Sequence, residues 1–170
     1  MNPVQQPRHA ILVIANRTCP CPTLVDEVAR RAMHTPAEVL VVAPALNSRL
    51  RHWMSDVDAA RRAAEERLDS CLTRLKAAGI SARGEIGDGD PMQAIADALS
   101  TFAADEIVIA THPEDRSNWL AHDLVGRARA RFDPPVLHIV VDVARNDEYV
   151  AVDETARFAT STTAPTLTAS

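Results

Sequence analysis

The sequence has 170 residues, of which 46% are hydrophobic, and a formal net charge of −5 at pH 7. These values predict one globular domain with a modest tail, and they give no reason to expect nucleic acid or an anionic membrane surface as a partner. No apolar run approaches the roughly 20 residues that span a bilayer, and residues 1–8 lack the apolar stretch of a secretory signal, so we expect a cytoplasmic protein.

The first part of the chain predicts a strand, a helix and a second strand. Residues 10–15 (AILVIA) and 39–43 (VLVVA) are short apolar runs of the kind that form strands covered on both faces. Between them, Thr23 is suited to cap a helix whose apolar positions share one face. The loop before this helix contains two prolines, which prevent the first strand from continuing.

The middle of the chain predicts a long helix, a weak strand and a capped helix. The long helix opens near Ser55 and ends at Gly79, and its apolar positions keep a spacing of three or four residues. Residues 80–86 predict a strand near a sheet edge, because charged residues and glycine interrupt its apolar pattern. Asp90 is expected to cap the next helix, over 92–102, with a proline at its first position.

The last predicted unit is a strand over 106–110, a helix that includes 120–128, and a strand over 136–141. A strand, a crossover helix and a second strand form a parallel βαβ unit. Residues 143–170 show no sustained period, and we expect them to be a mostly disordered tail, although 149–152 could add a short edge contact. The fold class is therefore α/β, with five strands and four helices.

Four segments of the sequence resemble motifs of the universal stress protein family. They are HAILVIANRT, GDGDPMQAIADA, ADEIVIATH and PPVLHIVV, and they occur in the family's order over residues 9–142. The resemblance implies a doubly wound, Rossmann-like parallel sheet of strand order 3-2-1-4-5 with helices on both faces. It also implies a homodimer that pairs through the fifth strand, here 136–141, and an adenine nucleotide (ATP, AMP or cyclic AMP) as ligand.

The sequence departs from the family at the ATP motif, Gly-x-x-Gly-x9-Gly-Ser, that follows strand four. Thr111 stands at the first glycine and Glu114 at the second, and no glycine occurs between Gly89 and Gly126. Glycine lets backbone N–H groups approach a phosphate closely, so its replacement removes that approach. Glu114 also adds negative charge where a triphosphate would lie, which makes tight ATP binding in the family's pose the least expected outcome.

The resemblance and the polar loops at the carboxyl ends of the strands give a set of candidate contacts. Two would meet the sugar or base, two valines would lie near the base, and the remainder would meet a phosphate or another anion. In that order they are Asn16 and Thr18, then Val41 and Val42, then Thr111, His112, Arg116, Ser117 and Asn118. An alternative is that Ser117 or Asn118 only caps a helix, while Arg116 pairs locally with a neighbouring carboxylate.

Three other features have both a structural and a functional interpretation. Cys19 and Cys21 could bind a soft metal, but no further ligand lies nearby in sequence, so we expect reduced thiols. Glu85, Asp88 and Asp90 could hold a hard cation, although helix capping by Asp90 accounts for the motif. His138 is expected to be a strand or dimer-contact residue.

Three functional hypotheses remain from the sequence. The first is a regulator or binding protein of the universal stress protein type that holds a small adenine nucleotide or another anion between strands one and four. The second is a dimeric interaction protein of the same fold that has lost nucleotide binding. The third is a slow nucleotide hydrolase with a bound metal. We find no catalytic motif, and therefore expect no catalytic residue and no resident metal.

Overall fold

The computed structural model describes residues 8–15, 21–33, 35–46, 55–111, 120–142 and 147–151. These residues form one six-stranded sheet of order β3-β2-β1-β4-β5-β6, in which the first five strands are parallel and β6 is antiparallel to β5. The elements are β1 (His9–Ile14), α1 (Pro22–Ala32), β2 (Ala37–Pro44), α2 (Ser55–Ala77), β3 (Ala82–Gly87), α3 (Pro91–Thr101), β4 (Glu106–Thr111), α4 (Leu120–Arg131), β5 (Val136–Asp142) and β6 (Asp147–Ala151).

The helices cover both faces of the sheet, as the sequence predicts. On one face, Leu24 of α1 and Leu75 of α2 are buried in a hydrophobic cluster with alternate strand residues. On the other face, Ile95 of α3 and Val125 of α4 are buried in a second cluster. Because strand side chains alternate between faces, strands buried on both sides must be apolar at every position, which explains the uninterrupted Ile and Val runs. The predicted doubly wound fold and the strand order 3-2-1-4-5 are confirmed.

Two helix boundaries follow the predicted local chemistry. Gly79 has a φ of 76° and ends α2, with the amide of Ile80 donating to the carbonyl of Leu75 at 2.9 Å. A left-handed residue of this kind satisfies the last carbonyls of a helix at little steric cost. At α3, Asp90 Oδ1 accepts a 2.9 Å hydrogen bond from the amide of Met92, and Pro91 occupies the first helical position.

The beginning of α1 differs from the prediction. The helix begins at Pro22, so the capping position is occupied by Cys21, which makes no side-chain capping bond, and not by Thr23. Proline is favoured at the first helical position because its fixed φ suits the helix and its missing N–H is not needed there. The fixed geometry of Pro22 thus starts the helix one residue before the expected cap.

An ionic cluster lies at the amino-terminal ends of β1 and β4. His9 Nε2 lies 3.0 Å from Glu106 Oε1, and the guanidinium of Arg31 pairs with the same buried carboxylate. Glu27 accepts hydrogen bonds from Arg31 at 2.5 Å and from Arg30 at 2.6 Å. Burial alone would raise the pKa of Glu27, but the hydrogen bonds from the two arginines outweigh it and lower that pKa. The cluster joins α1 to β1 and β4 on the side of the sheet opposite the strand C-termini.

The strand β6 extends the sheet beyond residue 142, where the sequence predicts the domain to end. It pairs antiparallel with β5, from Asp142 opposite Asp147 to His138 opposite Ala151. The outer edge of strand 136–141, which the resemblance implies to be a dimer contact, is thus paired within the same chain. The short edge contact expected at 149–152 is present, as part of β6, in its described residues 149–151. Residues 152–170 of the predicted tail lie outside the described residues, and so does residue 152 of the expected edge contact.

None of the helices within the described parts of the chain combines the length and the apolar character that a bilayer span requires.

Candidate functional site

The strands β1 and β4 lie side by side at the switch point of the sheet, where doubly wound folds place their ligand crevice. The two strands are parallel neighbours, with Ile11 opposite Glu106 and Ile14 opposite Ile109. The helix that follows β1 packs on one face of the sheet, and the helix that follows β4 packs on the other. The chain therefore leaves the carboxyl ends of two adjacent strands in opposite directions. Ligands of doubly wound folds bind at such a switch point.

Thr111, the last residue of β4, is the predicted phosphate-site residue that the structure describes. Its side chain is almost fully buried, with 2% of the residue exposed, and its Oγ1 lies 2.7 Å from Nε2 of His138 in β5. Thr111 follows Ile109 by two residues and shares its face of the sheet, the face covered by α3 and α4. The hydroxyl at the head of the candidate phosphate loop is therefore engaged with a neighbouring strand.

Val41 and Val42 lie in β2 beside the crevice, but their side chains belong to the core. They are 0% and 1% exposed, and they point into the clusters on opposite faces of the sheet. The carbonyl of Val42 accepts a 2.8 Å hydrogen bond from the amide of Ala15, which continues the β1–β2 ladder to the start of the first loop. These valines therefore belong to the core beside the switch point, and in this structure their side chains have no surface free for a ligand.

The other candidate contacts lie outside the described residues, and their roles stay predictions. They are Asn16, Thr18, His112, Arg116, Ser117 and Asn118. Their segments begin directly after Ala15, the residue that follows β1, and after Thr111, the last residue of β4, at the carboxyl ends of two neighbouring strands. The structure thus brings the two candidate loops to adjacent starting points.

Several solved structures have the same architecture. A universal stress protein from Archaeoglobus fulgidus is similar with a TM-score of 0.55 and 20% identity, covering 76% of this chain and 92% of that chain. The universal stress protein from Archaeoglobus fulgidus in complex with dAMP gives a TM-score of 0.54 and 20% identity, over 76% and 96% of the two chains. A universal stress protein family protein from Arabidopsis thaliana with AMP bound gives 0.50 and 11% identity, over 82% and 95%.

The chain has the universal stress protein fold. No family model matches the sequence, and no curated protein is similar to it at a significant level. The likeness to the solved structures, at 11–20% identity for those described, is therefore one of fold. The architecture that the four sequence motifs imply is confirmed.

Within this universal stress protein fold, Thr111 stands where the resemblance implies the first glycine of the ATP motif. A side chain at this position is accommodated because its hydroxyl finds a partner in His138, so burial leaves no unsatisfied polar group. The two residues are 27 positions apart in sequence, so no local sequence pattern predicts their contact. A histidine within an otherwise apolar strand was the one available signal, since a partly buried imidazole is stabilised by a polar partner.

Arg67 of α2 also lies near the carboxyl ends of the strands in this universal stress protein fold, and the sequence did not identify it as a candidate. Its Nη2 donates a 2.7 Å hydrogen bond to the carbonyl of Pro44, the last residue of β2. The residue is half-buried and directly precedes Leu68 on the packed side of the helix. An arginine next to the apolar stripe of a long helix was the signal. It brings a guanidinium to the carboxyl end of the sheet.

The alternative cation site in the β3–α3 turn has a structural explanation. Asp90 caps α3, and Asp88 Oδ1 accepts a 2.7 Å hydrogen bond from the amide of Asp90. Among the described residues, no group of three or more His, Cys, Asp or Glu side chains is arranged to hold a metal ion. The capping interpretation accounts for this turn.

The described cysteines are buried thiols. Cys21 and Cys71 are not joined in a disulfide, and both lie in the hydrophobic cluster between α1, α2 and the sheet. Burial, with a further contribution from Cys21, raises the pKa of Cys71 to about 12. A thiol with so high a pKa is a poor nucleophile and a poor metal ligand at neutral pH. Cys19 lies outside the described residues.

Proposed function

We propose that the chain is a divergent member of the universal stress protein family that binds an adenine nucleotide or a related anion at the β1–β4 crevice. Binding, and not catalysis, would be its biochemical activity, and it would act as a cytoplasmic regulator. The observation that carries the proposal is the switch point, where the two candidate loops start from adjacent strands. Solved proteins of the same fold carry dAMP or AMP, which supports this ligand class.

The residues around the crevice favour a nucleotide with little negative charge. Arg116 and His112 would meet the phosphate, and Asn16 would meet the ribose or the base. Glu114 and Asp115 lie in the same loop sequence, and each carboxylate repels a polyphosphate more strongly than a monophosphate. The loop also lacks the glycines that let backbone amides surround a phosphate chain. We therefore expect AMP or cyclic AMP to bind more tightly than ATP.

Titration calorimetry with AMP, cyclic AMP, ATP and inorganic phosphate tests this proposal. We expect measurable heat and a raised melting temperature with AMP or cyclic AMP, and weaker effects with ATP, because a ligand that binds only the folded state stabilises it. Inorganic phosphate separates recognition of the base from simple anion binding. Absence of heat and of any melting shift with all three nucleotides would contradict the proposal.

Two substitutions locate the site. Arg116→Ala should weaken binding of AMP by about tenfold to a hundredfold, since a charge-assisted contact to phosphate contributes roughly 1.5–3 kcal/mol. Arg74→Ala, at an exposed position of α2, removes the same charge elsewhere and should leave the affinity unchanged. Equal loss with both variants would mean that the effect is one of net charge and not of the crevice.

The second candidate function is an interaction protein that binds no nucleotide. The engaged hydroxyl of Thr111 favours it, because the first residue of the phosphate loop is already satisfied within the protein. The homodimer through strand 136–141 that the resemblance implies would need β6 to leave the edge of β5 or to exchange between copies. If Arg116→Ala changes no ligand assay while the protein still self-associates, this candidate replaces the first. No described cluster favours the third hypothesis, a metal-dependent hydrolase.

A further inference from the structure

The strand β3 forms the other end of the sheet and has one described neighbour. It pairs with β2 from Ala82 opposite Val39 to Gly87 opposite Pro44, and no strand of the described chain lies on its outer side. The opposite end of the sheet is different, because β6 covers β5 there. An edge strand presents unpaired N–H and C=O groups that a further strand can use. The outer edge of β3 is therefore available to a strand of complementary sequence.

We propose that two copies of this chain pair antiparallel through β3, around a two-fold axis at Gly84. In this register Gly84 faces Gly84 of the second copy, and Ala82 faces Ile86. Arg83 of each copy then lies directly opposite Glu85 of the other, so the interface contains two cross-strand pairs of opposite charge. Opposite charges at directly facing positions stabilise an antiparallel pair, and like charges destabilise it.

The charges select this register over its neighbours. Moving the axis by one residue would place Arg83 opposite itself, or Glu85 opposite itself, across the two-fold axis. The register centred on Gly84 pairs even-numbered residues with even-numbered ones and odd-numbered residues with odd-numbered ones. The backbone groups that point away from β2 in one copy therefore meet the equivalent groups of the other. The sequence Ala-Arg-Gly-Glu-Ile is therefore self-complementary in one arrangement.

The structure supports the positions of the two charged residues. Arg83 and Glu85 are exposed and point to the same face of the sheet, since they are two residues apart in a strand. The guanidinium of Arg83 lies 5.2 Å from the ring centroid of Phe102, the residue after α3. This cation–π contact keeps the arginine close to the sheet and not extended into solvent, which reduces the entropy lost when it meets a carboxylate.

The opposite face of β3 allows a second copy to approach. A Cβ at Gly84 would lie 2.4 Å from Leu68 Cδ1, so α2 packs directly on the strand at the proposed axis. Beside the start of β3, an open groove of about 650 Å³ is lined by residues that include Leu72, Ile80 and Ala82. Residues of α2 and the segment that leads into β3 line this groove together. Because α2 packs on a face of β3 and not in the plane of the sheet, a strand of a second copy can pair with the outer edge of β3 without displacing α2.

Sedimentation velocity of the full chain and of two charge-reversed variants tests the proposal. The unmodified chain should form a dimer whose fraction rises with concentration. Arg83→Glu makes both paired positions acidic, and Glu85→Arg makes both basic, so each variant alone faces like charges and should bind itself at least about tenfold more weakly. An equal mixture of the two variants restores both opposite-charge pairs and should form a heterodimer. The double variant should also recover the homodimer.

A matched control separates the strand contact from general charge effects. Arg131 contacts the ring of Phe132 at 5.4 Å from its centroid, so Arg131→Glu removes the same kind of contact away from β3. This variant should dimerise like the unmodified chain. Its mixture with Glu85→Arg keeps one like-charge pair, so that heterodimer should be weaker than the one formed by the two charge-reversed variants. Melting curves of each variant verify that it is folded.

Three results would overturn the proposal. If the unmodified chain is monomeric at all concentrations, Arg83 and Glu85 prevent strand pairing at this edge, which is the usual role of charged residues on an edge strand. A dimer unaffected by both single variants would use a different surface. Single variants that fail to associate when mixed would exclude the proposed register.

Discussion

Thr111 Oγ1 lies 2.7 Å from His138 Nε2 and links the end of β4 to β5. The hydrogen bond satisfies a buried hydroxyl at the position where the resemblance implies a glycine. It therefore connects the loop that follows β4 to the strand that carries the sheet's antiparallel extension. The contact has a measurable consequence for stability.

Thr111→Val should lower the free energy of unfolding by about 1–3 kcal/mol, because it keeps the side-chain shape but leaves the imidazole without this bond. Urea denaturation at neutral pH measures the change. Thr101→Val provides the control, since its hydroxyl bonds the carbonyl of Ala98 at 3.2 Å from an exposed position, and it should change stability by less. Equal losses in the two variants would show that the link to His138 adds nothing.

The ionic cluster around Glu27 predicts a dependence of stability on pH. The pKa of Glu27 is lowered from its ordinary value of 4.5, so the unfolded chain takes up a proton more readily than the folded one. Its contribution is present above the ordinary pKa and is lost as pH falls through the lower folded value. Glu27→Gln should therefore reduce stability at pH 7 by about 1–2 kcal/mol and give a shallower loss between neutral and acidic pH.

Glu66→Gln, at an exposed position of α2, is the matched control for Glu27. This variant should have the same free energy of unfolding as the unmodified chain at pH 7. Its stability should also fall as steeply between neutral and acidic pH, a region called here the acid limb. Chemical denaturation at a series of pH values distinguishes the two. An unchanged acid limb in Glu27→Gln would mean that other carboxylates dominate it.

Asp90 predicts a capping effect that depends on side-chain chemistry. Asp90→Ala should cost about 1 kcal/mol, whereas Asp90→Asn should retain most of the stability because asparagine caps a helix as well. Thermal melting measures both variants, and added Ca²⁺ or Mg²⁺ should shift neither curve. A large stabilisation of the unmodified chain by either cation, lost in Asp90→Asn, would instead favour a metal site in this turn.

The buried thiols predict slow reaction with a soluble aromatic disulfide. In a Cys19→Ser variant, Cys21 and Cys71 are the remaining thiols, and both are buried. With the pKa of Cys71 at about 12, its thiolate fraction near pH 8 is very small, and the thiolate is the reacting species. We expect reaction only on unfolding in urea, which should release both equivalents. Rapid reaction in native buffer would contradict this packing.

Removal of β6 should change self-association. A chain that ends at residue 146 lacks the strand that pairs with β5, so it would expose a second sheet edge next to an apolar strand. We expect it to form larger assemblies than the full chain in sedimentation velocity. A chain that ends at residue 151 retains β6 and should behave like the full chain. Identical behaviour of both truncations would mean that β6 does not protect the edge.

The central strands were predictable because the burial of both faces demands apolar residues at every position. The apolar runs that contain Ile11 and Ile107 include no turn-forming residue, so the sequence predicts them as buried strands. Gly79 and Asp90 were predictable as helix boundaries for a different reason, since each supplies a local geometry or a local acceptor that few residue types provide. Local chemistry fixed these elements.

The remaining features depend on contacts between distant parts of the chain. The strand β6, with the sequence DEYVA, has few apolar residues, so the sequence predicted only a short edge contact at 149–152 and not its antiparallel register with β5. The bond from Thr111 to His138 and the bond from Arg67 to the carbonyl of Pro44 require the folded sheet before they exist. Of the nine candidate ligand contacts, the described residues include Val41, Val42 and Thr111. The two valines belong to the hydrophobic core, and Thr111 is hydrogen-bonded to His138.

The antiparallel course of β6 brings the chain back to the amino-terminal side of the sheet. Ala151 lies opposite His138, near the start of β5, and His9 begins β1 on the same side. Residues 9 and 151 therefore both lie away from the β1–β4 switch point. In a chain that ends at residue 151, a fluorophore or a surface tether fused after that residue has its linker starting about one strand length from the candidate ligand loops. The protein is thus suited by its topology to immobilised binding assays.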